Sequence, residues 1–449
     1  MRKDEVNALL KEAGVDFLRV LWCDNANVIR SKAIATAILN DNYDYPVSIS
    51  AAQQAVPVMF DGVVNNSGLG PVGEVYLKPD YNTLTLLNYS EGHASVIGDM
   101  IFNGKVWECC PRNYLKKAVA AAAKMGYKIN AAFENEFYLF KPGDDDSKPV
   151  PVEESLFAMA AAMNVSGPVI GRIAKSLLQQ GLVVERYYAE GGNGQQELTI
   201  KYDHALKAAD NQIIFRQTVH GVTMAENLTA SFMPKVYEEI AGSGCHLHLS
   251  LSSVDDGRDL TGDPGENYRI SRAAQSFIAG IMRHLPALCA ATMPSTNSYK
   301  RIKPRCWSGA YNCWGFDNRE AAVRVITHPD GAGVSQFELK ACDASSNPYV
   351  ALASVILAGL DGIKENLELC APVDCDPGCY DAKTLAEKNI ALLPQDLGTA
   401  LDELEKDEVI KTAMGANFYK AYSAVKKTEW NYMKTFSIDR ERKLLLRRY

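Results

Sequence analysis

Phe133-Glu134-Asn135-Glu136-Phe137 sets acidic side chains at every second position between two phenylalanines. Residues two apart on a strand share a face, so Glu134 and Glu136 project together out of an apolar setting. Working outward, Glu190 and Glu197 follow, then His246-Leu247-His248, whose imidazoles share a face by the same rule, and finally Glu338. A buried carboxylate is costly unless it is paired or coordinated. With His248 set aside, the five carboxylates and His246 supply three ligands to each of two divalent ions. An oxygen-rich set with one imidazole suits magnesium or manganese better than zinc or iron. Each part alone has a plainer reading: a solvent-facing strand edge for Glu134 and Glu136, satisfied core imidazoles for His246 and His248. The combination argues for a polynuclear metal site carried on strands.

The chain has 449 residues, long enough for a large core and two or more structural units. Its formal net charge of -7 argues against nucleic acid or an anionic membrane surface as the main partner, and leaves small charged substrates open. Met1-Arg2-Lys3-Asp4-Glu5 lacks the apolar core of a signal peptide, and no run approaches the ~20 apolar residues of a membrane span, so the expected location is the cytoplasm. The eleven cysteines are an odd number and scattered, which predicts free thiols. Cys370, Cys375 and Cys379 match no common zinc spacing.

The first hundred residues read as short strands and turns. Phe17 to Trp22 and Thr83 to Leu87 predict strands, and Ser67 to Gly73 a loop. A boundary falls near Cys110-Pro111-Arg112, dividing residues 1–108 from 109–449. Beyond it, Asn113 to Lys124 predicts an amphipathic helix capped by Asn113. Ile129 to Phe140 predicts a long strand, followed by a charged loop from Lys141 to Pro151 whose Asp144-Asp145-Asp146 reads as a solvated tip. Helices are expected at Gly167 to Gln180, His204 to Asn227, Tyr268 to Leu285 and Asn347 to Leu360. Strands are expected at Gly244 to Leu251, Ala322 to Thr327 and Gln336 to Lys340. The class is therefore α+β.

Cations accompany the carboxylates: Lys300-Arg301-Ile302-Lys303-Pro304-Arg305, then Asn318-Arg319 and Arg324. Arginine forks fit phosphate and carboxylate oxygens, and metals with arginines point to phosphoryl transfer. Neither a Walker loop nor a dinucleotide fingerprint is present. The glycine clusters Gly191-Gly192-Asn193-Gly194 and Gly242-Ser243-Gly244 are weak signals alone, but one lies between Glu190 and Glu197 and the other directly precedes the histidines.

These motifs, in this order, resemble the glutamine synthetase superfamily, in its bacterial-type branch. The resemblance runs over nearly the whole chain. It includes Phe60-Asp61-Gly62, Lys78-Pro79-Asp80, Cys110-Pro111-Arg112, Phe133 to Phe137, Glu190 to Glu197, Gly242 to Ser250, Asn297 to Arg301, Asp317-Asn318-Arg319 and Asn347-Pro348-Tyr349. It implies a small N-terminal β-grasp domain and a catalytic domain with a strand-built funnel flanked by helices. It also implies a dodecamer of two hexameric rings and ATP-dependent amide formation through an acyl phosphate. Glu136, Glu190 and Glu197 match ligands of the metal nearer the acceptor carboxylate. Glu134, His246 and Glu338 match those of the metal bridging the nucleotide phosphates. Arg319 matches the arginine facing the transferring phosphoryl group, and Arg324 its phosphate-binding companion. Arg301 matches the grip on the substrate α-carboxylate, and Gly242 the glycine beside its amino group. His248 and Ser250 lie where the family contacts ATP.

The departures bear on substrate. Pro304-Arg305-Cys306-Trp307-Ser308-Gly309 places Trp307 where ammonia-using relatives carry a glutamate that closes over the ammonium. Tryptophan offers an apolar face and one N–H donor, but no base. Asp61 matches an aspartate lent by a neighbouring subunit to the ammonium site, and Val63-Val64 replaces the usual serine pair after it. Ala241 replaces an asparagine, and Lys340 an arginine expected beside the acyl group. The resulting expectation is a ligase that joins the γ-carboxyl of glutamate, or a close analogue, to an organic amine such as an alkylamine, arylamine or polyamine. An ordinary glutamine synthetase using ammonia is the first alternative, and a noncatalytic family member the second.

Overall fold

The computed structural model describes residues 1–39, 47–143, 145–154, 156–331 and 333–449. Strands form two sheets with helices packed beside them, in keeping with the α+β expectation. Six strands make the first: β1 (Phe17–Cys23), β2 (Ile29–Ala35), β3 (Val47–Ser50), β4 (Glu74–Leu86), β5 (His93–Phe102) and β6 (Lys105–Val106). Their order is β2-β1-β5-β4-β3, with β6 beside β5, and only β1 and β5 run parallel.

Ten strands make the second sheet: β7 (Tyr127–Phe140), β8 (Val184–Ala189), β9 (Gln195–Ile200), β10 (Asp203–His204), β11 (Thr229–Ser231), β12 (Cys245–Ser253), β13 (Tyr311–Phe316), β14 (Ala321–Thr327), β15 (Val334–Leu339) and β16 (Ala391–Leu392). The order is β16-β13-β14-β15-β12-β7-β9-β8, with β10 and β11 also pairing β7. Strand β7 is central because its alternation serves two environments. Ile129, Ala131, Phe133 and Phe137 are buried on one side, against helices, while Glu134 and Glu136 face the other. Helix Pro348–Lys364 packs against helices Pro111–Lys124, Ala205–Ala225 and Arg272–Thr292, so the core sits between this helical layer and the apolar face of the sheet.

Several boundaries differ from the sequence expectation. The helix expected from Asn113 starts at Pro111, with Cys110 as its first cap, because proline lacks an N–H that the first turn would leave unbonded anyway. The helix expected from Gly167 spans Ala160–Gln179 and continues through Pro168. Gly167-Pro168 resembles a start signal, but Ala162, Val169, Ile170, Ile173 and Leu177 form one buried stripe across it. The helix expected from Tyr268 begins at Arg272, where the Ser271 side chain accepts from the Ala274 N–H, and runs on to Thr292 past Pro286; Tyr268 itself has φ of 61°. Residues 382–445, for which the sequence offered no assignment, contribute five helices: Ala382–Glu387, Leu397–Lys406, Glu408–Met414, Ala416–Met433 and Ile438–Leu445.

In the acidic loop, Asp144 lies outside the described residues, Asp145 accepts from Ser147, and Asp146 pairs with Arg447 at 2.8 Å. The loop is therefore tied down at Asp146 instead of wholly solvated. All eleven cysteines are free thiols, and Cys370, Cys375 and Cys379 are exposed. No helix among the described residues is long and apolar enough to cross a membrane.

Candidate active site

Strand register assembles the acidic cluster. Glu134 lies opposite His246, Glu136 opposite Glu197, and Glu338 opposite both His248 and Arg324. Directly opposed residues of an antiparallel pair share a face, so one face of the sheet carries Arg324, Glu338, both histidines, Glu134, Glu136 and Glu197 in sequence across five strands. One ligand atom each from Glu134, His246 and Glu338 lies within 4.8 Å of the others, and the same holds for Glu134, Glu136 and Glu197. Glu134 is thus common to both groups. Glu190, half-buried after β8, lies outside them, its Oε2 accepting from the Gly191 N–H at 3.0 Å.

The two halves of the cluster differ in charge balance. Burial opposes ionisation of Glu134, but hydrogen bonds to His246 and His248 hold its carboxyl well below the usual range. Burial opposes it at the fully buried Glu338 too, where Lys340 Nζ at 3.2 Å and His246 Nδ1 at 3.1 Å outweigh it. Burial and Lys340 disfavour charge on His246, yet its bonds to Glu134 and Glu338 push its pKa up to about 9. On the other side the cationic offset is weaker, His246 Nε2 standing 3.8 Å from Glu136 Oε1. Burial and repulsion from Glu134 and Glu136 push Glu197 up to about 9, and burial with Glu136 pushes Glu190 up to about 7. Carboxylates so crowded ionise together only when cations share the site. A further ligand atom is in place: Glu338 Oε2 has no hydrogen-bond partner, although Arg324 Nε lies 2.9 Å away. The donor set fits divalent cations.

The supporting contacts are equally specific. Glu136 Oε2 accepts from the Gly244 N–H at 3.0 Å and from Gln195 Nε2 at 3.1 Å. A Cβ on Gly244 would stand 2.4 Å from His246 Nε2 and 3.1 Å from Glu136 Oε1, so only glycine lets this backbone approach the cluster. Gln195 Nε2 also donates to the Gly242 carbonyl at 3.0 Å and Ser243 Oγ at 3.1 Å, joining the two glycine clusters. The role of Gln195 was not read from the sequence, although it sits two before Glu197 and shares its face.

Arg301 is buried against Gly242, where a Cβ would come within 2.6 Å of the Arg301 Cγ. Its Nη2 donates to the carbonyls of Lys340 and Cys342 at 3.2 and 3.1 Å, while its buried Nε has no partner. Ala241 is exposed, its carbonyl accepting from the Tyr138 hydroxyl, and Ser250 Oγ accepts from Asn130 at 3.4 Å. Arg319 is exposed and has no ion pair among the described residues. Asp61 is not brought to the cluster within this chain: its side chain is 92% exposed, with Arg30 Nη1 3.7 Å away.

Trp307 stands in a strained loop, with φ of 53° there and 61° at Arg305, in the left-handed region that bulky residues avoid. The loop is held by Glu320, whose carboxylate accepts from the backbone N–H groups of Trp307 at 2.6 Å and Arg305 at 3.1 Å. Ser308 Oγ closes it further through Lys303. The indole is left 65% exposed. Nothing in the sequence pointed to Glu320, which lies thirteen residues beyond the tryptophan it anchors.

Comparison with known proteins agrees with this architecture. Residues 108–444 match the family described as glutamine synthetase, catalytic domain. The type-1 glutamine synthetase 1 of Dictyostelium discoideum is 33% identical, over 96% of this chain and 89% of its own length. The gamma-glutamylpolyamine synthetase GlnA3 of Streptomyces coelicolor is 32% identical, over 95% of this chain and 92% of its own. Among solved structures, an ADP complex of GmaS superposes with a TM-score of 0.85 at 26% identity, covering 97% of this chain and 98% of that one. The chain belongs to the glutamine synthetase family, and with it to the ATP-dependent ligases that form C–N bonds.

Proposed function

We propose that this ligase joins the γ-carboxyl of glutamate, or a close analogue, to an organic amine. The observation that carries the reading is Trp307: an exposed residue on an anchored loop, at the position where the family resemblance implies a carboxylate in ammonia-using members. An aromatic face covers the alkyl or aryl part of an amine and attracts its cationic form by ~0.5–2 kcal/mol, but cannot take a proton from ammonium. The similarity to a gamma-glutamylpolyamine synthetase supports the same direction. The similarity to a type-1 glutamine synthetase favours ammonia as the second reading. Nothing favours a noncatalytic member.

In this reading Glu136, Glu190 and Glu197 would hold one Mg²⁺ or Mn²⁺ ion and Glu134, His246 and Glu338 another, with ATP as co-substrate. The ions, when bound, neutralise phosphate charge and the crowded carboxylates. His248, Ser250 and Arg324 contact the nucleotide, and Arg319 meets the phosphoryl group in transfer. Arg301, Gly242, Ala241 and Lys340 position the amino acid. The substrate γ-carboxylate attacks the terminal phosphorus of ATP and releases ADP; the amine then attacks the acyl carbon, phosphate leaves, and the proton lost from the amine nitrogen goes to the departing phosphate. Glu136 is set for its part by Gln195 and the Gly244 N–H. Residues 1–108 and 109–449 act as two domains, in a cytoplasmic dodecamer of two hexameric rings in which Asp61 serves a neighbouring subunit's amine site. Phosphate release from ATP and glutamate, with ammonia, alkylamines, an arylamine and a polyamine in turn, tests the reading. At least one organic amine exceeds ammonia in kcat/KM; ammonia as the best acceptor would refute it.

A further inference from the structure

Apart from the carboxylate cluster, the first sheet meets helix Ala205–Ala225 and residues 447–448 around an open space. A cavity of about 510 Å³ is lined there by Arg19 of β1, by Arg216 of the helix, and by Arg447 and Arg448. Among the described residues no aspartate or glutamate lines it, in a chain whose net charge is -7. Arg216 is 2% exposed, and its Nε and Nη1 have no hydrogen-bond partner. The Phe232 ring, 5.7 Å from the guanidinium, is a weak substitute. The titratable groups nearest Arg216 do not compensate it. Cys23 and Tyr449 have their pKa values raised by burial and stay neutral at pH 7, and burial with Arg216 pushes His220 down to about 3.

A buried guanidinium without partners costs several kcal/mol, and folded proteins seldom retain one unless something neutralises it. The other arginines are differently engaged. Arg19 donates to Ser90 Oγ at 2.8 Å, Arg447 pairs with Asp146, and Arg448 has no ion pair among the described residues. The volume suits a small metabolite.

We infer that this cavity is a binding site for a small polyvalent oxyanion, a phosphate compound or a dicarboxylate, which Arg216 and Arg448 grip and which ties β1, the helix and the chain's last residues together. The site is independent of the amine assignment.

Thermal unfolding of the full-length protein with inorganic pyrophosphate in one arm and succinate in the other, against potassium chloride at matched ionic strength, tests this and separates the two sources. At least one anion raises Tm above the chloride control. Arg448→Ala, an exposed substitution, weakens that anion roughly tenfold, the loss of one charge-assisted contact. Arg216→Met abolishes the response while remaining at least as stable as the unmodified protein without anion. Arg319→Ala, at the carboxylate cluster, leaves the response unchanged. No shift with either anion overturns the inference, and so does a shift that survives Arg448→Ala or is lost in Arg319→Ala.

Discussion

On β7, β9, β12 and β15 the acidic and histidine side chains are fixed by strand register, mostly buried and braced by glycine backbone and Gln195. In residues 304–309 the opposite holds: three residues, Arg305, Trp307 and Gly309, take left-handed φ, one carboxylate anchors the turn, and the indole lies largely in solvent. Chemistry that every reaction cycle repeats gains from a rigid sheet, whose geometry changes only if the register changes. In the proposed reading, selectivity for the second substrate sits on a loop, where one side chain changes without disturbing the sheet. The two regions should therefore answer differently to substitution.

The largest effect is expected on the sheet. Glu338→Gln removes charge from a fully buried position that His246, Arg324 and Lys340 all face. Phosphate release should fall about a thousandfold or more, since a bound ion contributes several kcal/mol to the transition state. Gly244→Ala comes next. Its methyl would stand 2.4 Å from His246 Nε2, and the resulting displacement should lower kcat about a hundredfold with the far-UV circular dichroism unchanged. If the alanine variant kept full activity, the claim that register and glycine fix the cluster would fail.

The loop should respond in KM instead. Glu320→Gln weakens one of the two backbone contacts that hold residues 305 and 307. The KM for the amine should rise about tenfold while the KM for ATP stays put. Equal changes in both would mean that the loop and the sheet are not separate modules.

The smallest effect belongs to neither region. His284 Nδ1 lies 2.6 Å from Asp407 and its Nε2 3.0 Å from Asp361. Burial lowers the pKa of His284, but the two carboxylates outweigh it and the net shift is upward from 6.5. A histidine with a raised folded pKa contributes stability that is complete below its unfolded pKa and is lost as pH rises through the folded one. Tm should accordingly decline across that window, and His284→Gln should flatten the decline; an unchanged slope would remove His284 as its source.

Much of the sheet was legible in the sequence because its signals are local. Glu134 with Glu136, and His246 with His248, show their shared face through spacing alone, and β7 is long enough for alternation to be unmistakable. Helix ends were less legible where proline was involved: Pro111 opens its helix and Pro168 lies within one, and only the surrounding buried stripe tells the cases apart. Glu320 and Arg216 were not legible at all. Each acts through a partner, or the lack of one, that the fold supplies from distant sequence.

The central claim is that Trp307 marks an enzyme that prefers an organic amine. Ammonia and an equimolar panel of organic amines, competing in one reaction with ATP and glutamate, test it directly when products are resolved by mass. The account predicts a γ-glutamyl amide of an organic amine as the main product, and a Trp307→Glu variant that shifts the mixture towards glutamine. Glutamine as the main product of the unmodified protein would contradict it.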